Sequence, residues 1–338
     1  MKKIVIIGGG FAGSYAAKKL EKKFDLTLID SKDYFEFTPS ILRIIVKPEH
    51  FEKIQIKHKE YLKNTKLILG KVSILGKGFV QTNIGEKHFY DYLIIASGSS
   101  YNKPIKDEGL ILADRTEELI ESTEKLREAD SILIIGGGLV GIELAAEIIE
   151  TFPKKKVTLV QANKELIPRN NKRTRVQCKN YLEKKGVKII FNCKAKSCGK
   201  GEYLINNERK KYDLSFSCIG INPNSDFINK KMLDERGFVI VNDYMQVIGK
   251  EKIFSVGDVN NLKAEKTAQV AELQAKVVVN NILNLEKQKQ LNKYFHEEKP
   301  LVISLGKKHG ILTYKKISYF GLIPGILKSL IEIKAMRR

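Results

Sequence analysis

The chain has 338 residues, 43% hydrophobic and 29% charged, with a formal net charge of +21. That length suffices for two domains with real cores, and without a run of about 18 apolar residues no transmembrane helix is expected. Lysines are spread along the whole chain, so the basic excess reads either as compositional bias or as a field for anionic partners; no nucleic-acid-binding motif accompanies it.

The opening MKKIVIIGGGFAG imitates a signal peptide, with Lys2 and Lys3 before an apolar run. The run is too short and its glycines belong to a turn, so export is not expected. Ile4 to Ile7 predicts a strand, followed by Gly8, Gly10 and Gly13 at G-x-G-x-x-G spacing. A helix over Ala12 to Lys23 comes next, then a second strand, Leu26 to Ile29, that ends in Asp30. Each residue type has a task. Gly8 permits a sharp turn, Gly10 lets backbone approach a pyrophosphate, and Gly13 lets helix pack on strand. The helix N-terminus faces the anion, and a carboxylate closing the second strand holds an adenosine ribose.

Behind this unit, DYFEFTPSILR carries Tyr34, Phe35, Phe37, Pro39 and Arg43. These either wall a flat ring system, with Arg43 on a phosphate, or form plain core with a solvated cation. No cysteine precedes Cys178, which removes the redox pair of a flavin disulfide reductase. Residues 54 to 98 alternate apolar and polar side chains between glycines, predicting antiparallel hairpins. That section ends in an apolar strand closed by Ala96, Ser97 and Gly98, small residues suited to passing close to a ligand.

The same plan then recurs. Ser131 to Ile135 predicts a strand, Gly136, Gly138 and Gly141 repeat the fingerprint, and a helix over Leu139 to Glu150 stops near Pro153. A strand over Val157 to Val160 ends at Gln161 rather than an acid. A helix around Thr174 to Lys185, a strand over Val187 to Phe191, a hairpin-like piece over Tyr203 to Lys211 and a strand running into Ile219 and Gly220 complete the repeat. The expected fold is therefore α/β, with two Rossmann-like dinucleotide-binding units.

A third landmark is the strand ending in Gly257 and Asp258. Its carboxylate can accept hydrogen bonds from a polyol chain, and the helix over Thr267 to Leu285 aims its positive end there. The tail predicts two strands, Leu301 to Leu305 and Ile311 to Tyr314, then a helix. In that helix Ile323, Ile326, Leu327, Leu330 and Ile331 share one face, with Lys328 on the polar side. From Lys299 onward there are nine Lys or Arg against Glu332 alone. Such a helix docks on its own protein, pairs with another subunit, or lies on an anionic membrane. The four cysteines show no C-x-x-C spacing and the five histidines are scattered, so no metal site is expected and the default setting is reducing and cytoplasmic.

GGGFAG, IIASG, GGGLVGIELAAEI, VTLVQA, FSVGD, TAQVAELQA and SLGKKHGILT together resemble the two-dinucleotide-domain, pyridine nucleotide-disulfide oxidoreductase-like flavoproteins. Within them the chain is most similar to type II NADH dehydrogenases and to the ferroptosis-suppressor, apoptosis-inducing-factor-2-like NAD(P)H:quinone oxidoreductases. The resemblance implies FAD on Gly8, Gly10, Phe11, Ala12 and Gly13, with Asp30 on its adenosine ribose, Ala96 and Gly98 near the pyrophosphate, and Gly257 with Asp258 at the ribitol. It implies NAD(P)H on Gly136, Gly138, Leu139 and Gly141, flanked by Ile219 and Gly220, with Glu143 beside nicotinamide and flavin; Gln161 departs from the acid that ends this strand in NAD-specific units. Gln269 and Gln274 match amides of the quinone-site helix, although a helix with solvated amides reads equally well.

The implied layout is an FAD domain over 1–100 and 236–295, an NAD(P)H domain over 101–235, and a C-terminal acceptor or membrane-associating segment over 296–338. A quinone-type acceptor is expected, on a cytoplasmic protein with peripheral access to a membrane. Gln161, with Lys164 and Arg169 nearby, implies that NADPH serves as well as, or better than, NADH. The alternatives are a reductase of rubredoxin or ferredoxin type, and a non-enzymatic NAD(P)H-sensing flavoprotein of apoptosis-inducing-factor type. Oligomeric state is not readable.

Overall fold

A computed structural model describes residues 1–100, 115–199 and 201–337. Two parallel sheets carry the molecule. The first runs Ile253–Ser255, Tyr92–Ile95, Lys3–Ile7, Asp25–Asp30, Thr65–Leu69, and the second runs Lys188–Ile190, Lys156–Val160, Ser131–Ile135, Leu214–Ser217. All of these pairings are parallel, and the registers of the two central pairs match: Ile7 faces Ile29 as Ile135 faces Val160. Central strands buried on both faces read as continuous apolar runs, which is why IVII and ILII lack the alternation of a one-faced strand. Ile4, Ile6, Ile94, Ile132 and Ile134 are fully buried, each contributing roughly 1.5–3 kcal/mol relative to exposure.

The helix Phe11–Leu20 places Ala12, Ala16, Ala17 and Leu20 on its inner side. These small residues let it pack closely on helix Ala268–Glu286, whose Val270, Ala271, Ala275 and Val278 face inward. It stops three residues before the expected Lys23, at a turn where Phe24 N–H still reaches Leu20 O at 3.2 Å. Lys18 and Lys19 in its last turn suit the negative end of its dipole. Helix Leu139–Thr151 plays the same part in the second half, with Ile142, Leu144, Ala145, Ala146, Ile148 and Ile149 buried.

The repeat helix and strands are Lys172–Lys184, Lys188–Ile190, Glu202–Ile205, Glu208–Lys211 and Leu214–Ser217. Helix Arg115–Glu128, with no counterpart among the sequence-based expectations, precedes the second sheet. The domain boundary expected at residue 100 opens onto 101–114, outside the described residues. The two halves are stitched where Ser99–Ser100 pairs with Asn222–Pro223. Ser97 Oγ donates to Asn224 O at 2.6 Å, and Asn224 Nδ2 returns a bond to Ser97 O at 2.9 Å.

The tail has three strands, not two: Leu301–Leu305, His309–Tyr314 and Ile317–Gly321. The extra strand follows a tight turn in which Lys315 takes φ +51°. Its buried Ser318 shares hydrogen bonds with Thr174 and Gln177, anchoring the tail to the second half. Helix Leu322–Met336 closes the chain. Among the described residues no helix is long and apolar enough to cross a membrane.

Candidate dinucleotide cradles and the tail-covered cleft

The two glycine turns have the same interlock. Gly8 takes φ +95°, and a Cβ there would lie 2.4 Å from Ala96 O; Gly136 takes φ +111°, and a Cβ would lie 2.7 Å from Cys218 O. A Cβ on Gly13 would come within 1.8 Å of Gly8 O, and one on Gly141 within 1.9 Å of Gly136 O. Turn and helix are therefore in direct backbone contact. Gly10 and Gly138 are the opposite case, since a Cβ at either would meet nothing within 4 Å. Both are N-caps without a side-chain cap, so each helix start opens onto space a phosphate can fill.

At the strand ends, Asp30 Oδ2 accepts the Gly9 N–H at 2.9 Å, and Gln161 Oε1 accepts the Gly137 N–H at 2.9 Å. Their outer partners differ. Asp30 also meets the His58 ring at 3.1 Å, whereas Gln161 Nε2 donates to Glu165 O at 3.1 Å. Gln161 is thus buried with both ends of its amide engaged. Lys164 and Arg169 are exposed.

The third landmark converges on the first cradle. A Cβ on Gly257 would sit 3.8 Å from Ala12 Cβ, and Asp258 accepts from Ser99 Oγ at 2.9 Å. Gln274 is 1% exposed, and its Oε1 accepts from Gly257 N at 2.7 Å and Asn260 Nδ2 at 2.8 Å. Its oxygen holds the Gly-Asp turn, while Gln269, also expected at an acceptor, is exposed. Lys266, unnoticed in the sequence, donates to Asn260 O at 2.6 Å. Burial lowers its ammonium to about 8; Asp258 and Asp234 oppose that shift, and Arg236 and Arg169 add to it.

The aromatic stretch behind the first cradle is core. Phe35 and Phe37 are buried, with Phe11 edge-on to their rings at 5.0 and 5.7 Å. Arg43 is turned toward the second half, where it pairs with Glu147 at 3.0 Å. Burial raises the Glu147 carboxyl above its ordinary value, and Arg43 opposes that shift. Arg43 and Glu147 line a small cleft with Pro39, Ser40, Glu143 and Lys328. Glu143 Oε1 accepts from Ser304 N at 2.8 Å and from Lys328 Nζ at 3.2 Å.

The tail helix roofs this cleft with its polar side. Lys328 reaches Glu143, and Glu332 accepts from Ser40 Oγ and pairs with His50 at 3.1 Å. Burial pushes Glu332 up, but the His50 and Ser40 bonds and the nearby Arg43 charge together hold the carboxyl below its usual value. The apolar face of the helix points the other way. Leu322, Ile323, Ile326, Leu330 and Ile333 are exposed. Leu327 and Ile331, grouped with them by periodicity, are half-buried.

Gly8, Ala12, Ala96 and Gly257 therefore meet at one site, and Gly136, Gly141 and Ile219 at the other; a Cβ on Gly136 would lie 3.1 Å from Ile219 Cγ2. Gly98 and Gly220 both take positive φ, +70° and +76°, at the ends of equivalent strands. Among the cysteines, Cys178 and Cys218 are buried thiols pushed up to about 12 by desolvation.

The sequence profile described as pyridine nucleotide-disulphide oxidoreductase matches residues 2–275. Apoptosis-inducing factor homolog A of Dictyostelium discoideum is 32% identical over 97% of this chain and 89% of that protein. Ferroptosis suppressor protein 1 of Homo sapiens is 30% identical over 91% of this chain and 87% of that protein. Among solved structures, the sulfide:quinone oxidoreductase of Aquifex aeolicus superposes with TM-score 0.84 at 20% identity, covering 98% of this chain and 90% of that one. NDH2 of Plasmodium falciparum in complex with NADH gives 0.83 at 16%, covering 99% and 94%. The chain belongs to the pyridine nucleotide-disulphide oxidoreductase family, and it is an FAD-dependent oxidoreductase that uses NAD(P)H.

Proposed function

We propose that the protein takes hydride from NAD(P)H onto FAD and passes the electrons to a quinone-type acceptor reached from a membrane surface. FAD would lie on the first cradle, formed by 1–100 and 236–295, with Asp30 at the adenosine ribose and Asp258 at the ribitol. The nicotinamide nucleotide would lie on the second cradle. Bound flavin supplies the hydride-accepting centre. The protein's share is to hold both nucleotides, keep Glu143 in a fixed position on Lys328, and seal the cleft with the tail. NADPH would serve at least as well as NADH, because the second strand ends in the neutral amide of Gln161 rather than in a carboxylate that would repel a 2′-phosphate.

One observation carries the acceptor: the tail helix seals the cleft with Lys328 and Glu332 and leaves Leu322, Ile323, Ile326, Leu330 and Ile333 outside. An apolar strip beside a redox cleft fits a lipid-soluble substrate, and the relatives include a protein named ferroptosis suppressor protein 1 and structures titled as quinone oxidoreductase and NDH2. The buried Cys178 and Cys218 are poor candidates for a thiol relay, since burial pushes both thiols up. The test is anaerobic bleaching by NADPH followed by reoxidation with a short-chain quinone, alongside flotation on anionic vesicles. Fast reoxidation and flotation lost in Ile326→Lys support the reading. Reoxidation by an acidic iron–sulfur protein and not by quinone would replace it.

A further inference from the structure

The strand-end carboxylate of the first cradle has a brace that nothing in the sequence pattern announces. Tyr34–Glu36 pairs antiparallel with Gln55–Lys57, with Tyr34 opposite Lys57. That pairing returns the chain to the end of Asp25–Asp30, where the His58 N–H donates to Asp33 O at 2.8 Å. The imidazole is then 2% exposed. Its Nε2 lies 3.1 Å from Asp30 Oδ2, and its Nδ1 lies 2.7 Å from the Tyr61 hydroxyl. A Cβ on Gly9 would lie 2.5 Å from both the Asp30 carboxylate and the His58 ring, so the three groups are packed against one another.

The donors and acceptors fit in one order. A carboxylate only accepts, so the ring proton on Nε2 goes to Asp30, and in the neutral ring Nδ1 accepts from the Tyr61 hydroxyl. Asp30 Oδ2 is then committed to Gly9 and His58. Oδ1 holds, among the described residues, a long 3.4 Å contact from the Lys32 N–H. The oxygen left for a ligand is thus set by a side chain 28 positions downstream.

From this geometry we infer that His58 is a positioning residue for FAD: it locks the Asp30 carboxylate so that Oδ1 faces the adenosine ribose, with Tyr61 fixing the ring. The inference rests on Asp30 binding that ribose. The second cradle shows what the brace replaces. There the equivalent oxygen is held by the Gly137 N–H, and the outer support is the Glu165 carbonyl, with no ring and no proton to place. Two nucleotide sites in one chain are therefore braced by different chemistry, and only the first depends on an imidazole.

The experiment is a double-mutant cycle on FAD affinity, read by fluorescence titration of apoprotein, with melting of the apoprotein as the control for folding. His58→Leu is expected to raise the FAD Kd about tenfold. His58→Gln, which restores a donor near the Nε2 position, and Tyr61→Phe, which removes a single hydroxyl, should each stay within about threefold. In an Asp30→Ala background His58→Leu should change nothing further, because a residue acting through Asp30 has no effect without it. A wild-type FAD affinity in His58→Leu, or an equal loss in both backgrounds, overturns the inference. An Asp30→Ala protein that binds FAD like wild type instead sinks the ribose assignment on which it rests.

Discussion

In the first half of the molecule the strand-end side chain is Asp30, braced by His58; in the second it is Gln161, braced by the Glu165 carbonyl. The rest of the turn is shared: the positive φ of Gly8 and Gly136, the close backbone approach at Gly13 and Gly141, and the N–H of the middle glycine on the strand-end oxygen. The turn chemistry is therefore a requirement of strand-to-helix packing, while the rim residue lies outside that packing and can vary. On the reading proposed above, a charge there would select ribose hydroxyls and a neutral amide would admit a 2′-phosphate.

The largest effects are expected at the glycines common to both turns. Gly13→Val and Gly141→Val each force a side chain against backbone, at an overpacking cost of about 1–3 kcal/mol or more, and the two should separate cleanly. Gly13→Val is expected to purify colourless, with FAD retention lost, whereas Gly141→Val should stay yellow and no longer be bleached by NADPH. Flavin content and anaerobic spectra read both, and a yellow Gly13→Val protein would remove the first cradle from flavin binding.

A smaller effect sharpens the rim. Gln161→Asp keeps an acceptor for the Gly137 N–H, drops the donor to Glu165 O, and adds a charge. The ratio of kcat/KM for NADPH over NADH should fall about tenfold, roughly 1.4 kcal/mol. An unchanged ratio would mean that the rim does not choose the nucleotide.

The smallest effect concerns Lys266 beside the third contact, whose folded value of about 8 lies below the ordinary 10.5. Between those values the unfolded chain binds more protons, so this group's contribution to stability rises with pH across the window, and its penalty is fully present below about 8. Wild type should therefore gain a few degrees in melting temperature over Lys266→Met between neutral pH and the top of that window. Parallel curves would show that the ammonium is better solvated than its surroundings suggest.

Both cradles were legible because their glycines do local work: a turn, a close approach and a helix start are written within a dozen residues. What joins distant segments was not. Arg43 read as a phosphate ligand or a solvated cation, and its partner Glu147 lies 104 positions away. His58 read as one of five scattered histidines until a short strand pair brought it to Asp30. Gln274 matched an acceptor-site amide by pattern, yet its oxygen serves Gly257 and Asn260, a contact spacing cannot report. In the tail, periodicity identified an apolar face and a polar one but carries no information about which side meets the protein. The ion pairs Lys328–Glu143 and His50–Glu332 decide that, and they turn the apolar side out.

That orientation has a thermodynamic consequence. Five half-wetted aliphatic side chains on one helix represent several kcal/mol of dehydration free energy not yet realised, at roughly 25 cal/mol per Å² of apolar surface. An amphipathic segment that coils in water must order itself before it can gain that energy. This helix is already formed and pinned from beneath, so a covering surface meets a rigid template, and the gain is not diminished by the entropy of folding it.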